Sequence, residues 1–207
     1  NTVTFTYTAA TGGMASGAVR VTVPTGWSAP SLTGADAGFT TASTGTVGIA
    51  GQVITVTGVT LAGGATMTIT YGATGSSGPG ATATGTAGAA TWQAAARSLS
   101  GSTITNLAAS PSINVLAADG SGTLTTPTSD VANGATGTTI TFTYTAATGG
   151  MANGAVRVTV PTGWSAPSLT GADPGFATAS TGTVGFTGQV ITVTAIAVAG
   201  LGTMTFT

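Results

Sequence analysis

The chain has 207 residues, of which only seven are charged: Arg20, Arg97, Arg157, Asp36, Asp119, Asp130 and Asp173. Thr supplies 48 positions, Ala 37, Gly 34 and Ser 16, and there is no Lys, Glu, His or Cys. Most catalytic sites draw on His, Cys, Lys or paired carboxylates, and this composition removes the first three, together with the His and Cys ligands of zinc, haem and iron–sulfur centres and every disulfide.

Three arginines are too few to neutralise a phosphate backbone or to hold an anionic membrane surface, so neither nucleic acid nor a membrane is expected as a partner. Disorder couples low hydrophobicity with high net charge; here 42% of residues are apolar and the formal net charge is −1. No apolar run reaches the ~18 residues of a membrane helix. No signal peptide is visible at Asn1, and the chain is read as mature or as a window of something longer.

Taken in order, the elements follow a period of two, which argues for strands. In the run Thr2-Val3-Thr4-Phe5-Thr6-Tyr7-Thr8 the odd positions are apolar and the even ones are Thr. Val19, Val21 and Val23 alternate with Arg20 and Thr22, and Pro24-Thr25-Gly26 ends that run just before Trp27. Ile54-Thr55-Val56-Thr57 and the stretch from Thr66 to Tyr71 repeat the theme, with Gly12-Gly13, Gly34, Gly63-Gly64, the 76–80 stretch and Asp119-Gly120 as turn signals. Further strands are expected near 90–98, 112–117, 122–128, 138–145, 155–160, 180–186, 189–197 and 203–207. Trp92-Gln93-Ala94-Ala95-Ala96-Arg97 has the Ala content of a helix, but its place between turn signals favours an edge or terminal strand. The expected core comprises Val3, Phe5, Tyr7, Val19, Val21, Val23, Ile54, Val56, Met67 and Ile69, with their counterparts in the second copy described next.

The segment from Thr4 to Met14 returns as Thr141 to Met151, and Pro24 to Ser31 returns as Pro161 to Ser168, an offset of 137. Residues 2–70 and 139–207 are identical at 56 of 69 positions. The reading is therefore one and a half copies of one unit: 1–117 as a first copy whose N-terminal strand is missing, and 118–207 as a second whose C-terminal strands are missing. The two explanations are a window onto a longer tandem array and a subunit completed by neighbours through strand exchange. Seven or eight short antiparallel strands in a repeat of about this size point to an all-β fold of tandem immunoglobulin-like antiparallel β-sandwiches.

The runs Thr138 to Thr145, Val158-Thr159-Val160-Pro161-Thr162-Gly163-Trp164 and Gly188 to Thr194 resemble the immunoglobulin-like repeats of very large secreted bacterial surface proteins. The resemblance implies an extracellular or cell-surface stalk, adhesin or fibre-forming protein. It carries no catalytic or cofactor-binding residues, and the sparse charge of this chain shifts the expectation toward assembly.

Trp27 and Trp164 each follow a strand-ending Pro; they read as plugs of a sandwich end, or as exposed rings that stack on sugars. Asp36 and Asp173 occupy matching Gly-Ala-Asp loops, each alone in its copy, where a turn role outweighs calcium, which wants several oxygen ligands. Any interdomain calcium falls to Asp119 or Asp130 near the unit boundary. Arg20 and Arg157, mid-strand between inward valines, face solvent and pair with their own loop aspartates or with neighbouring subunits. A Lys–Asn isopeptide is impossible, and a Thr–Gln ester at Gln52 or Gln189 lacks its supporting His. No Asn-x-Ser/Thr sequon exists, so glycans would be O-linked to Thr and Ser faces. Charge, especially Lys, normally guards sheet edges, and a net charge near zero promotes association. These points lead to the expectation of a self-associating structural subunit, with a spacer stalk or carbohydrate-binding module as the alternative.

Overall fold

The computed structural model describes residues 1–75 and 77–207; of the turn signal at 76–80, Ser76 lies outside them. The described chain contains strands and turns and no helix. It divides into two compact units, Asn1–Val115 and Leu116–Thr207.

The first unit carries β1 (Val3–Thr8), β2 (Met14–Thr22), β3 (Thr40–Ala42), β4 (Thr46–Ala50), β5 (Val53–Leu61), β6 (Thr66–Tyr71), β7 (Gly88–Thr91), β8 (Ala94–Arg97), β9 (Thr105–Asn106) and β10 (Ser112–Val115). They form a β1-β6-β3 sheet, a β4-β5-β2-β8-β9 sheet and a β10-β7 ribbon, all antiparallel. The second unit carries β11 (Thr123–Thr125), β12 (Phe142–Thr145), β13 (Met151–Thr159), β14 (Thr183–Thr187), β15 (Val190–Val198) and β16 (Thr203–Phe206), in sheets ordered β11-β12-β16 and β13-β15-β14.

The period-two pattern explains which faces meet. Along β1, exposure alternates residue by residue, with Val3, Phe5 and Tyr7 on the side that packs and the threonines outward, as successive side chains of a strand must alternate. Val19, Val21, Ile54 and Val56 of one sheet meet Met67, Ile69 and Tyr71 of the other in one buried cluster, an arrangement consistent with a β-sandwich. Ile54, Val56, Val59 and Tyr71 are completely inaccessible, and full burial of one such aliphatic side chain contributes about 1.5–3 kcal/mol. The second unit has its own smaller cluster of Tyr144, Val156, Val193, Ile196, Met204 and Phe206.

Two expectations are corrected. The single strand over 90–98 is two: the backbone changes partner at Trp92, whose N–H donates to the Pro111 carbonyl, and at Gln93, whose carbonyl accepts from Thr22 N–H. That exchange, from β10 on one side to β2 on the other, separates β7 from β8. The second is at 138–145, where pairing begins only at Phe142. The Ala-rich stretch 94–97 is a strand, because its small side chains let it lie beside β2, opposite Ala18, Val19, Arg20 and Val21.

Candidate functional surfaces

The repeat gives each unit its own version of the features in residues 2–70 and 139–207. In the first unit the turn Pro24-Thr25-Gly26 delivers Trp27 into the interior, where it is 6% exposed. Trp92 sits at the centre of an aromatic group: its ring centroid lies 5.0 Å from Phe5, 5.0 Å from Trp27 and 5.1 Å from Tyr71. The contacts with Trp27 and Tyr71 are edge-on, the geometry that aromatic quadrupoles favour. Among the described residues neither indole Nε1–H of Trp27 or Trp92 has an acceptor, so the two indoles are held by shape and dispersion rather than by side-chain hydrogen bonds. Trp27 therefore presents no ring face to a sugar and serves as a plug.

Trp164, its counterpart, is 43% exposed. The contrast does not arise locally, since Pro161-Thr162-Gly163-Trp164-Ser165-Ala166 repeats 24–29 without a change. It arises because the aromatic that covers Trp27 comes from residue 92, in a segment with no second copy in this sequence. Trp92 was not singled out as core by the sequence reading; the signal available was a lone large aromatic among small residues. Without that partner, the second unit packs Phe142 on Phe206 instead, stacked at 5.2 Å, with Phe206 standing where the first unit has Ile69.

Tyr71 closes the same end of the first unit. Its hydroxyl donates to the Ser28 carbonyl and lies 3.0 Å from Ser28 Oγ. Burial pushes its pKa above the usual tyrosine value, with the Ser28 hydroxyl pulling weakly the other way.

The aspartates serve their own loops. Ser31 Oγ donates to Asp36 Oδ2 at 2.8 Å and Ser168 Oγ to Asp173 Oδ2 at 2.8 Å, while the same serine oxygens accept from Thr33 N–H and Thr170 N–H. Asp119 and Asp130 are exposed, and Asp130 accepts from the adjacent Ser129 hydroxyl. Among the described residues no three His, Cys, Asp or Glu side chains gather as a metal would require. Gln52 and Gln189 donate to the Trp27 and Trp164 carbonyls, bracing each tryptophan turn. A shallow open depression of 390 Å³ is lined by Pro24, Gly26, Thr84, Thr86, Ala87 and Thr91 among others; its walls offer hydroxyls and apolar surface but no acid or base.

The sheet edges differ between the units as well. β1 is an edge strand in the first unit, whereas its counterpart β12 is paired on both sides, by β11 and β16. β2 lies between β5 and β8, whereas among the described residues its counterpart β13 is paired with β15 alone. Among the described residues no helix is long and apolar enough to cross a membrane. No family model, curated protein or solved structure matches the chain.

Proposed function

We propose that the chain is a structural subunit of an extracellular filament, sheath or matrix, built from tandem immunoglobulin-like β-sandwich repeats that associate with one another and carry O-linked glycans on their threonine faces. Its role is mechanical, not catalytic. The observation that supports this most is the chemistry of the open strand surfaces. The outward positions of β1 are Thr4, Thr6 and Thr8, and the edge strands β4 (Thr-Val-Gly-Ile-Ala) and β14 (Thr-Val-Gly-Phe-Thr) carry no charge. An unguarded edge is a template for another strand, and a chain of net charge −1 lacks the repulsion that keeps such edges apart.

A second reading, a spacer stalk of an adhesin or a carbohydrate-binding module that meets surface polysaccharide, draws on the exposed ring of Trp164. Electron microscopy of native material, spread at low concentration without cross-linking, separates the two. Continuous filaments with an axial repeat of one or two sandwiches support the structural subunit. Single rods ending in a separate head support the stalk. A loss of mass on chemical release of O-linked sugars reports the glycan.

A further inference from the structure

The few charges of this chain are unevenly placed. Along β2, Val19 and Val21 belong to the buried cluster, so Ala18, Arg20 and Thr22 face the other way. β8 lies against β2 with Ala95 opposite Arg20 and Arg97 opposite Ala18. Directly opposed residues share a face, and diagonal neighbours on such a pair are ~7–8 Å apart, within reach of long side chains. Two of the three arginines therefore stand diagonally adjacent on the outer face of the five-stranded sheet. Ala18 and Ala95, the small residues opposite them, are shut from solvent, while both arginines keep part of their surface in it.

Like charges so placed repel each other, and the chain does not offset them. Asp36 and Asp173 accept from serines in their own loops, and Asp130 accepts from Ser129. Among the described residues no carboxylate pairs with Arg20 or Arg97. Arg97 is anchored by one bond, from Nη1 to the Ser102 carbonyl at 3.1 Å, and its Nε–H has no acceptor. The surroundings are neutral and rich in hydrogen-bonding groups. The row across the sheet reads Gly48, Thr55, Arg20, Ala95 and Asn106, so Gly48 and Ala95 raise no wall beside the arginine. Residues 118–137 pair through β11 with β12, in the other sheet, and leave Arg157, the counterpart of Arg20, exposed. That part of the repeat therefore does not cover this face.

We propose that Arg20 and Arg97 form a site for one carboxylate of an acidic polysaccharide, a uronic acid residue whose ring hydroxyls meet Thr22, Thr55 and Asn106. Guanidinium forks bind carboxylates bidentately, and charge complementarity selects the anion, since two cations without a counter-charge face solvent in a neutral field. Two arginines hold a discrete anion and not a charged surface, which sets this ligand apart from nucleic acid and membrane. A second copy of the chain fits less well, because three of its four carboxylates already accept a serine hydroxyl beside them. The site does not rest on the filament reading. A chain that binds the sugar as a monomer keeps the site and refutes the filament; a filament that ignores the sugar does the reverse.

The test titrates the chain with a trimer of galacturonic acid in low-salt buffer at neutral pH. Calorimetry reads affinity, and protection from phenylglyoxal, located by peptide mass, reads each arginine. The acid trimer should bind and protect Arg20 and Arg97, more weakly as salt is added, and its neutral methyl ester should do neither. Arg20→Gln and Arg97→Gln should each weaken binding roughly 10- to 100-fold, and Arg20→Lys, which keeps the charge but not the fork, should weaken it less than Arg20→Gln. Arg20 makes no side-chain hydrogen bond among the described residues, so Arg20→Gln reads binding apart from folding. Absence of binding up to the solubility limit of the trimer overturns the proposal, as does equal binding of the methyl ester or unchanged affinity in Arg20→Gln. Inorganic phosphate binding as tightly as the trimer would mean an adventitious ion only, and overturns it too.

Discussion

Replacing Trp27 and Trp164 separately by alanine compares one residue, in one local sequence, with and without its cover. Their exposures of 6% and 43% differ by 37 percentage points (43 − 6), which for an indole side chain of ~250 Å² is roughly 90 Å². At about 25 cal/mol per Å² this is worth about 2.3 kcal/mol. The edge-on contact of Trp27 with Trp92 adds about 1 kcal/mol, and removing its unpartnered Nε1–H returns about 1 kcal/mol. Trp27→Ala therefore costs its unit about 2–3 kcal/mol more than Trp164→Ala costs the other. Native-state hydrogen exchange measured by mass spectrometry suits this comparison, because peptides spanning 14–22 and 151–159 differ at Ser16 and Asn153 and so report each unit separately. Core amides of the first unit should exchange ~30- to 150-fold faster in Trp27→Ala, beyond whatever change Trp164→Ala produces in the second. Equal acceleration in the two variants would refute the idea that residue 92 makes the difference.

Two further substitutions and a titration follow from the backbone and from Tyr71. Leu201 holds φ 62° and is 70% exposed, and Ala195 holds φ 56°; their counterparts in the first unit are Gly64 and Gly58. Left-handed backbone costs a non-glycine residue roughly 1–2 kcal/mol, so Leu201→Gly and Ala195→Gly should each stabilise the second unit by about 1 kcal/mol, seen as slower exchange in 190–206; faster exchange would contradict this. The raised pKa of Tyr71 favours the neutral phenol in the fold. Its stabilisation is fully present below the unfolded value of about 10 and is lost as pH rises through the higher folded value. Thermal melts of the wild type should accordingly decline above pH ~10, and Tyr71→Phe should remove that part of the decline while lowering stability at neutral pH through loss of the Ser28 bond. An unchanged alkaline profile in Tyr71→Phe would place the decline elsewhere.

Much of the strand pattern was legible because alternation of Thr with Val, Ile, Phe or Tyr is a one-dimensional signal. Val19, Val21, Val23, Ile54, Val56, Met67 and Ile69 are buried as the alternation requires, with Val3, Phe5 and Tyr7 partly so. The division at Trp92 and Gln93 was not legible, since it depends on two different strands, β10 and β2, competing for successive residues of one segment. The short β3 and β9 are likewise products of pairing with β6 and β8, not of their own composition. At the tryptophans, identical sequence gave identical expectations for Trp27 and Trp164. Only the three-dimensional neighbour separates them, and that neighbour lies 65 residues away from Trp27 (92 − 27). Thr40 illustrates the same point in miniature: it is buried, with its hydroxyl donating to Gly38 O, and the second unit has Ala177 there, buried with no hydroxyl to satisfy.

The claim that unguarded, nearly uncharged strand edges make this a self-associating subunit is tested most directly by sedimentation velocity over a wide range of protein concentration at neutral pH. The account predicts fast-sedimenting species that grow with concentration and persist in high salt, because there is little charge to screen. A single species of 19.4 kDa that remains monodisperse at high concentration would contradict it.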